Sequence, residues 1–376
     1  LLRWMIVDLV EEAAGFATAV AGVGGAEAGT LMPDQTYLQQ AQPSTFGHYV
    51  LTFAYPALRE AGRLWSEQDW VNQSPGGAGC VNGSRLHISR ARTAELLGFD
   101  GVIEHTRDAM WQTDGLVALL STAAGLVSHL SKLAEDLEIW DSREFDFVDL
   151  AGPYTRASVL MPQKRNPYAL AIVRGAAGIL LGRLSGFLAV VKTPSARSDN
   201  LIFAYGEVPR ALDLTRKVTR LMSGVVATLH VNAGRMNAAL LSGFSQATDL
   251  AEHVMVTCGV DYRTAYLLVG EAVRRASREG LAGVDMTGEM LDDAAEQVTG
   301  HRLGLTGADL RDVLDPEAIV STRTLPGGAA PPLVCQMARD CAIAGAGIRT
   351  RADEAAAVIG QAEAALLTVA RAAASA

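Results

Sequence analysis

Between residues 116 and 140 the side chains of Leu116, Leu119, Ala123, Leu126, Leu130, Leu133, Leu137 and Trp140 recur at alternating steps of three and four. That spacing keeps one side of an α-helix apolar over about seven turns, whereas a strand would alternate at every second residue. A chain carrying such a seam must supply other helices to cover it, which predicts a long-helix bundle. The same periodicity predicts helices at about residues 1 to 24, 44 to 72, 168 to 192 and 205 to 230. Alanine and leucine abound while aromatic residues are only 6% of the chain, which favours helix over sheet. The fold class expected is all-α: an elongated helix bundle in residues 1–242 and a small helical C-terminal domain in residues 243–376. The second unit begins where the helices shorten and are broken by CGVDYR, REGLAGVD, GLTGAD and LPGGAAPP, and it ends in an alanine-rich terminal helix.

Composition excludes several roles. The net charge of −9 comes with no basic run, which leaves little to attract a nucleic-acid backbone. No uninterrupted apolar run approaches the roughly 18 residues of a membrane span, so no membrane partner is expected. Four scattered cysteines, Cys80, Cys258, Cys335 and Cys341, fit neither a disulfide framework nor a zinc site and read as buried, reduced thiols of a cytoplasmic protein. The seven histidines show no metal-ligand spacing, and no metal or other cofactor is assigned.

Three loops rich in turn formers separate the long helices: DQTYLQQAQPST, NQSPGGAGCVNGS and DLAGPYTRASVLMPQKRNP. Bundle helices commit their faces to packing, so polar chemistry is expected in these loops. TRASVLMPQKRNP at 155–167 resembles the signature loop of the aspartase/fumarase superfamily, in which a serine pair precedes a Met-Pro-x-Lys-x-Asn-Pro run. TYLQQAQPSTFGH at 36–48 and SPGGAGCVNGS at 74–84 resemble further blocks of its argininosuccinate lyase branch. ATDLAEHVMVTCGVDYRTAY at 247–266 is similar to that branch's small C-terminal domain. The family's first block, of the His-Thr-Gly-Arg-Ser-Arg-Asn-Asp type, is expected just before Leu1. The resemblance leaves open whether that part is truncated or carried by a separate fragment.

The resemblance implies a lyase that eliminates fumarate from a substituted succinate, working on small-molecule substrates as a homotetramer with composite sites. Abstracting a proton beside a carboxylate builds a dianion, which cationic and amide donors must stabilise. Lys164 and Asn166 stand at the family's carboxylate-binding positions, Thr36 at a further carboxylate contact, and Ser158 at the general base. Gly152 and Pro153 could let one side of the loop move. Outside this context a loop serine would read as a turn residue and a lone lysine as a solvated charge.

The chain departs from argininosuccinate lyase at the amine end. Tyr37 and Ala171 stand where the family has a paired histidine and glutamate, and Val159 replaces the second serine. The guanidinium-reading segment becomes PSARSDNLI, with Arg197, Asp199 and Ile202 at its tyrosine, lysine and glutamine positions. The expected activity is therefore elimination from an N-substituted aspartate other than argininosuccinate, with Arg197 and Tyr37 touching the amine portion. Argininosuccinate lyase itself and a non-catalytic, crystallin-like structural role remain the alternatives. The homotetramer is expected because the seam from Leu116 to Trp140 offers more apolar surface than one subunit covers.

Overall fold

The computed structural model describes residues 1–192 and 198–375. Five long helices, α1 (Leu2–Ala26), α2 (Ala54–Val71), α3 (Asp114–Trp140), α4 (Tyr168–Val191) and α5 (Glu207–Ala227), pack side by side. The predicted seam lies along α3, where Leu119, Ala123, Leu126, Leu130, Leu133 and Leu137 are fully buried. Each buried leucine contributes roughly 2 kcal/mol of transfer free energy, so this stripe alone commits the helix to the bundle interior. Trp140 ends the seam in an aromatic cluster, its ring centroid 4.5 Å from that of Tyr49. The Tyr49 hydroxyl donates to Asp136 Oδ2 at 2.6 Å, tying the preceding segment to the far end of α3.

Residues 244–314 gather a separate apolar cluster from α6 (Ala247–Cys258), α7 (Tyr262–Arg278) and α8 (Gly288–Thr299), centred on Leu250, Leu268 and Leu291. The terminal helix α9 (Pro331–Ala374) packs differently from the expected division. Val334, Ala338, Cys341, Ala352 and Ile359 join the first core, against α1. Small residues make that contact possible: Gly345 lies against the Ala14 carbonyl and the Thr18 hydroxyl, where a side chain would collide.

Three expectations need correction. Residues 31–45, read as loop running into helix, form a hairpin of β1 (Leu31–Thr36) and β2 (Gln39–Thr45), because Pro33 and Pro43 suppress helix there. Of the four free cysteines only Cys341 is buried; Cys80 is exposed. The α3 seam is covered within the chain from Leu119 to Trp140, with Leu116 only partly buried, so among the described residues it is not the main apolar surface left for association. Apolar surface remains open on α4, where Ile172, Ile179, Leu181 and Leu188 face outward, and on α9, where Ile343 and Val358 do.

By length and composition three helices, α3, α4 and α9, could cross a membrane, with mean hydropathies of 1.4, 1.4 and 1.2. Counting only uninterrupted apolar runs missed them, since isolated charges such as Arg174 and Arg183 punctuate the windows. Half of the α3 window is buried inside the bundle.

Candidate active site

Two short strands, β4 (Arg156–Ala157) and β5 (Arg165–Asn166), pair antiparallel, with Arg156 opposite Asn166 and Ala157 opposite Arg165. The signature run therefore becomes a hairpin whose tip is residues 158–164. Ser158 N donates to Lys164 O at 3.1 Å, and Lys164 N to Met161 O at 3.0 Å, which closes the tip. Inside it, Ser158 Oγ accepts the backbone N–H groups of Leu160 at 3.3 Å and Met161 at 3.1 Å. A serine hydroxyl commonly accepts such local donors in turns. The chemical consequence is specific: two N–H dipoles aimed at one oxygen favour negative charge on it. Val159 and Leu160 project into solvent at 94% and 88% exposure.

The base of the hairpin is held by side chains. Asn166 Nδ2 donates to Arg156 O at 3.0 Å, the Arg156 guanidinium lies 5.4 Å from the Tyr168 ring centroid, and Arg165 pairs with Asp149. Asp149 belongs to β3 (Val148–Asp149), which pairs with β6 (His230–Val231). Pro167 caps α4, whose first turn needs no N–H from a proline and whose N-terminus favours anions. A cleft of about 620 Å³ opens here, lined by Lys164, Arg165 and Asn166 together with Glu138, Asp141 and Asp146. Burial raises the Asp141 carboxyl above its ordinary range, and the Leu150 N–H and Arg165 oppose that shift.

Ser158, Lys164 and Asn166 are thus brought together on one hairpin. Thr36 and Tyr37 lie elsewhere, at the turn between β1 and β2, beside a second cleft bordered by Gln35, Leu38 and Arg235. Glu144 borders both clefts, so the two hairpins flank the segment that follows α3. Tyr37 and Leu38 take left-handed φ values of 55° and 58°, and Tyr37 is 99% exposed. Arg197 lies outside the described residues.

The glycine-rich turn at 74–84 stands apart from the hairpin, near a cavity of about 410 Å³ walled by Trp70, Pro75, Phe99, Asp108, Trp111 and Tyr205. Among the described residues no His, Cys, Asp and Glu side chains group as they would around a metal ion. Asp149 and Arg165 carry no sequence signal for their pairing, because they come together only where two separate short sheets meet in the fold.

The long-helix bundle and its basic hairpin define a lyase of the aspartase/fumarase type, and comparison with known proteins carries this further. Residues 5–182 match the lyase family and residues 244–321 the argininosuccinate lyase C-terminal family. The chain belongs to the aspartase/fumarase superfamily, in its argininosuccinate lyase-like branch. It is 34% identical to the argininosuccinate lyase of Methanococcoides burtonii over 334 residues, spanning 88% of this chain and 67% of that protein. With the argininosuccinate lyase of Oceanobacillus iheyensis it shares 35% over 308 residues, 82% of this chain and 65% of the relative. EDDS lyase in complex with formate superposes with a TM-score of 0.92 at 28% identity, covering 98% of this chain and 73% of that one. A doubly substituted variant of EDDS lyase with bound fumarate superposes equally well. The 3-carboxy-cis,cis-muconate lactonizing enzyme of Pseudomonas putida, at TM-score 0.67 and 21% identity, shares the fold.

Proposed function

We propose that the protein is a carbon–nitrogen lyase that eliminates fumarate from an N-substituted aspartate, or adds an amine to fumarate in reverse, with Ser158 as general base. The observation that carries this reading is the pair of N–H donors on Ser158 Oγ. A serine is a useful base only as an alkoxide, and donors already aimed at its oxygen stabilise that form. Lys164 and Asn166, which closely precede the Pro167 cap of α4, supply a cation and an amide for the carboxylates and the developing dianion. At the amine end, Arg197 stands by sequence where a guanidinium-bearing substrate would bring a second cation. It favours instead a carboxylate on the amine portion, such as an amino acid or aminopolycarboxylate. Argininosuccinate cleavage is the second reading, favoured by the 34% identity to an enzyme of that name.

The site is completed by association into a homotetramer, which brings the Thr36–Tyr37 turn of one copy to the Ser158 hairpin of another. The outward apolar face of α4 supports this arrangement. Following fumarate formation by ultraviolet absorbance with a set of N-substituted aspartates, for wild type and Ser158→Ala, tests the reading. Turnover that survives the substitution would remove Ser158 as the base.

A further inference from the structure

We propose that Arg165 and Asp149 form a positioning latch that sets the orientation of the signature hairpin, and with it Lys164 and Asn166, the two N–H donors on either side of Arg165 that face the substrate carboxylates. This rests on the reading of the hairpin as the catalytic loop. Side chains alternate across a strand, so anchoring Arg165 fixes how Lys164 and Asn166 are presented. The anchor is firm on the acidic side. Asp149 lies on β3, paired through Val148 and Asp149 to Val231 and His230, and the neighbouring Leu150 N–H is held by Asp141 Oδ1 at 3.0 Å. The hairpin itself has only two paired rungs. Of its other side-chain ties, Arg156 over the Tyr168 ring is not an ion pair, and the Asn166 amide on the Arg156 carbonyl occupies the group that must turn to a substrate carboxylate. Once Asn166 does so, the Arg165–Asp149 pair is the ionic tie that remains at the base, while the tip at Val159 and Leu160 is free to close.

Both side chains are about half exposed, at 45% and 51%, so the pair contributes little to global stability and its effect falls on the loop. Misplacing a donor by about an ångström costs up to a hundredfold in rate.

Asp149→Asn, Arg165→Met, the double variant and the charge-reversed pair Asp149→Arg/Arg165→Asp, each made in the full chain, test the latch. Two readouts apply: kcat/KM for fumarate release, and the rate of tryptic cleavage after Lys164. The expected result is a loss of about tenfold in kcat/KM for each single variant, no further loss in the double, partial recovery in the reversed pair, and several-fold faster cleavage of Asp149→Asn. The thermal midpoint should stay within a few degrees of wild type. Wild-type cleavage rates, or single losses that multiply in the double variant, would overturn the latch. The cleavage assay needs no substrate, so it decides the latch even if Ser158→Ala shows that the catalytic reading of the hairpin is wrong.

Discussion

Ser158 Oγ accepts the Met161 N–H at 3.1 Å, so the proposed base is also the residue that shapes its own turn. Removing the hydroxyl loses both functions, but unequally. A half-exposed turn contact contributes on the order of 1 kcal/mol or less, whereas a general base contributes a hundredfold or more in rate. Ser158→Ala is expected to keep the helical circular dichroism signal and lose only a few degrees of thermal midpoint, while turnover falls at least about a hundredfold. Parallel melting and rate measurements on one preparation check the split.

Tyr37 holds a left-handed φ of 55° with its ring in solvent, a conformation that costs a residue with a Cβ about 1 kcal/mol or more. The chain retains it without any packing return within the subunit. Tyr37→Gly is expected to leave stability unchanged or raise it by up to about 1 kcal/mol, and to lower turnover. Denaturant melts paired with activity measurements check this; a turnover equal to wild type would leave the tyrosine without a role at the site.

How much of this could be read beforehand differs by element. The α3 seam was legible because its three-four spacing survives any packing partner, and its buried leucines follow it closely. The Ser158, Lys164 and Asn166 cluster was legible because a short run of sequence carries all three. The β1–β2 hairpin was not: QQAQPST has little strand character, and it is held by Thr30, Phe46 and the neighbouring helices. The return of α9 to α1 was hidden as well, since an alanine-rich stretch does not specify which small-residue face it meets. The contact of Arg165 with Asp149 depends on how two separate short sheets meet, which charge spacing alone does not encode.

The Tyr49–Asp136 hydrogen bond predicts a pH-dependent cost. Burial raises the Asp136 carboxyl above its ordinary 3.8 and the Tyr49 hydroxyl opposes that shift. Tyr49→Phe should therefore destabilise by about 1–2 kcal/mol near pH 7, where Asp136 is ionised and loses its donor. The penalty belongs to the ionised form, so it should shrink as pH falls through the raised range in which the folded carboxyl takes up its proton. Urea melts of both proteins across that range check the sign.

His129 predicts the opposite trend at slightly higher pH. Burial, aided by Lys132, Arg59 and Arg63, lowers its pKa from 6.5 against the opposing pull of Glu60, 3.9 Å away. The unfolded chain therefore binds this proton first, and the contribution to stability is full above about 6.5 and lost as pH falls below it. His129→Gln should flatten the melting-temperature profile between about pH 7.5 and 5.5. An unchanged slope would place the acid sensitivity elsewhere.

The central claim, that a fumarate-handling hairpin is joined to an altered amine end, is tested most directly by incubating the protein with fumarate and a panel of amines. Adducts are followed by mass spectrometry, with fumarate release from argininosuccinate measured in parallel. The account predicts adducts from carboxylate-bearing amines, absent in Ser158→Ala, and slow or no cleavage of argininosuccinate. Efficient argininosuccinate cleavage without an adduct from any carboxylate-bearing amine would contradict it.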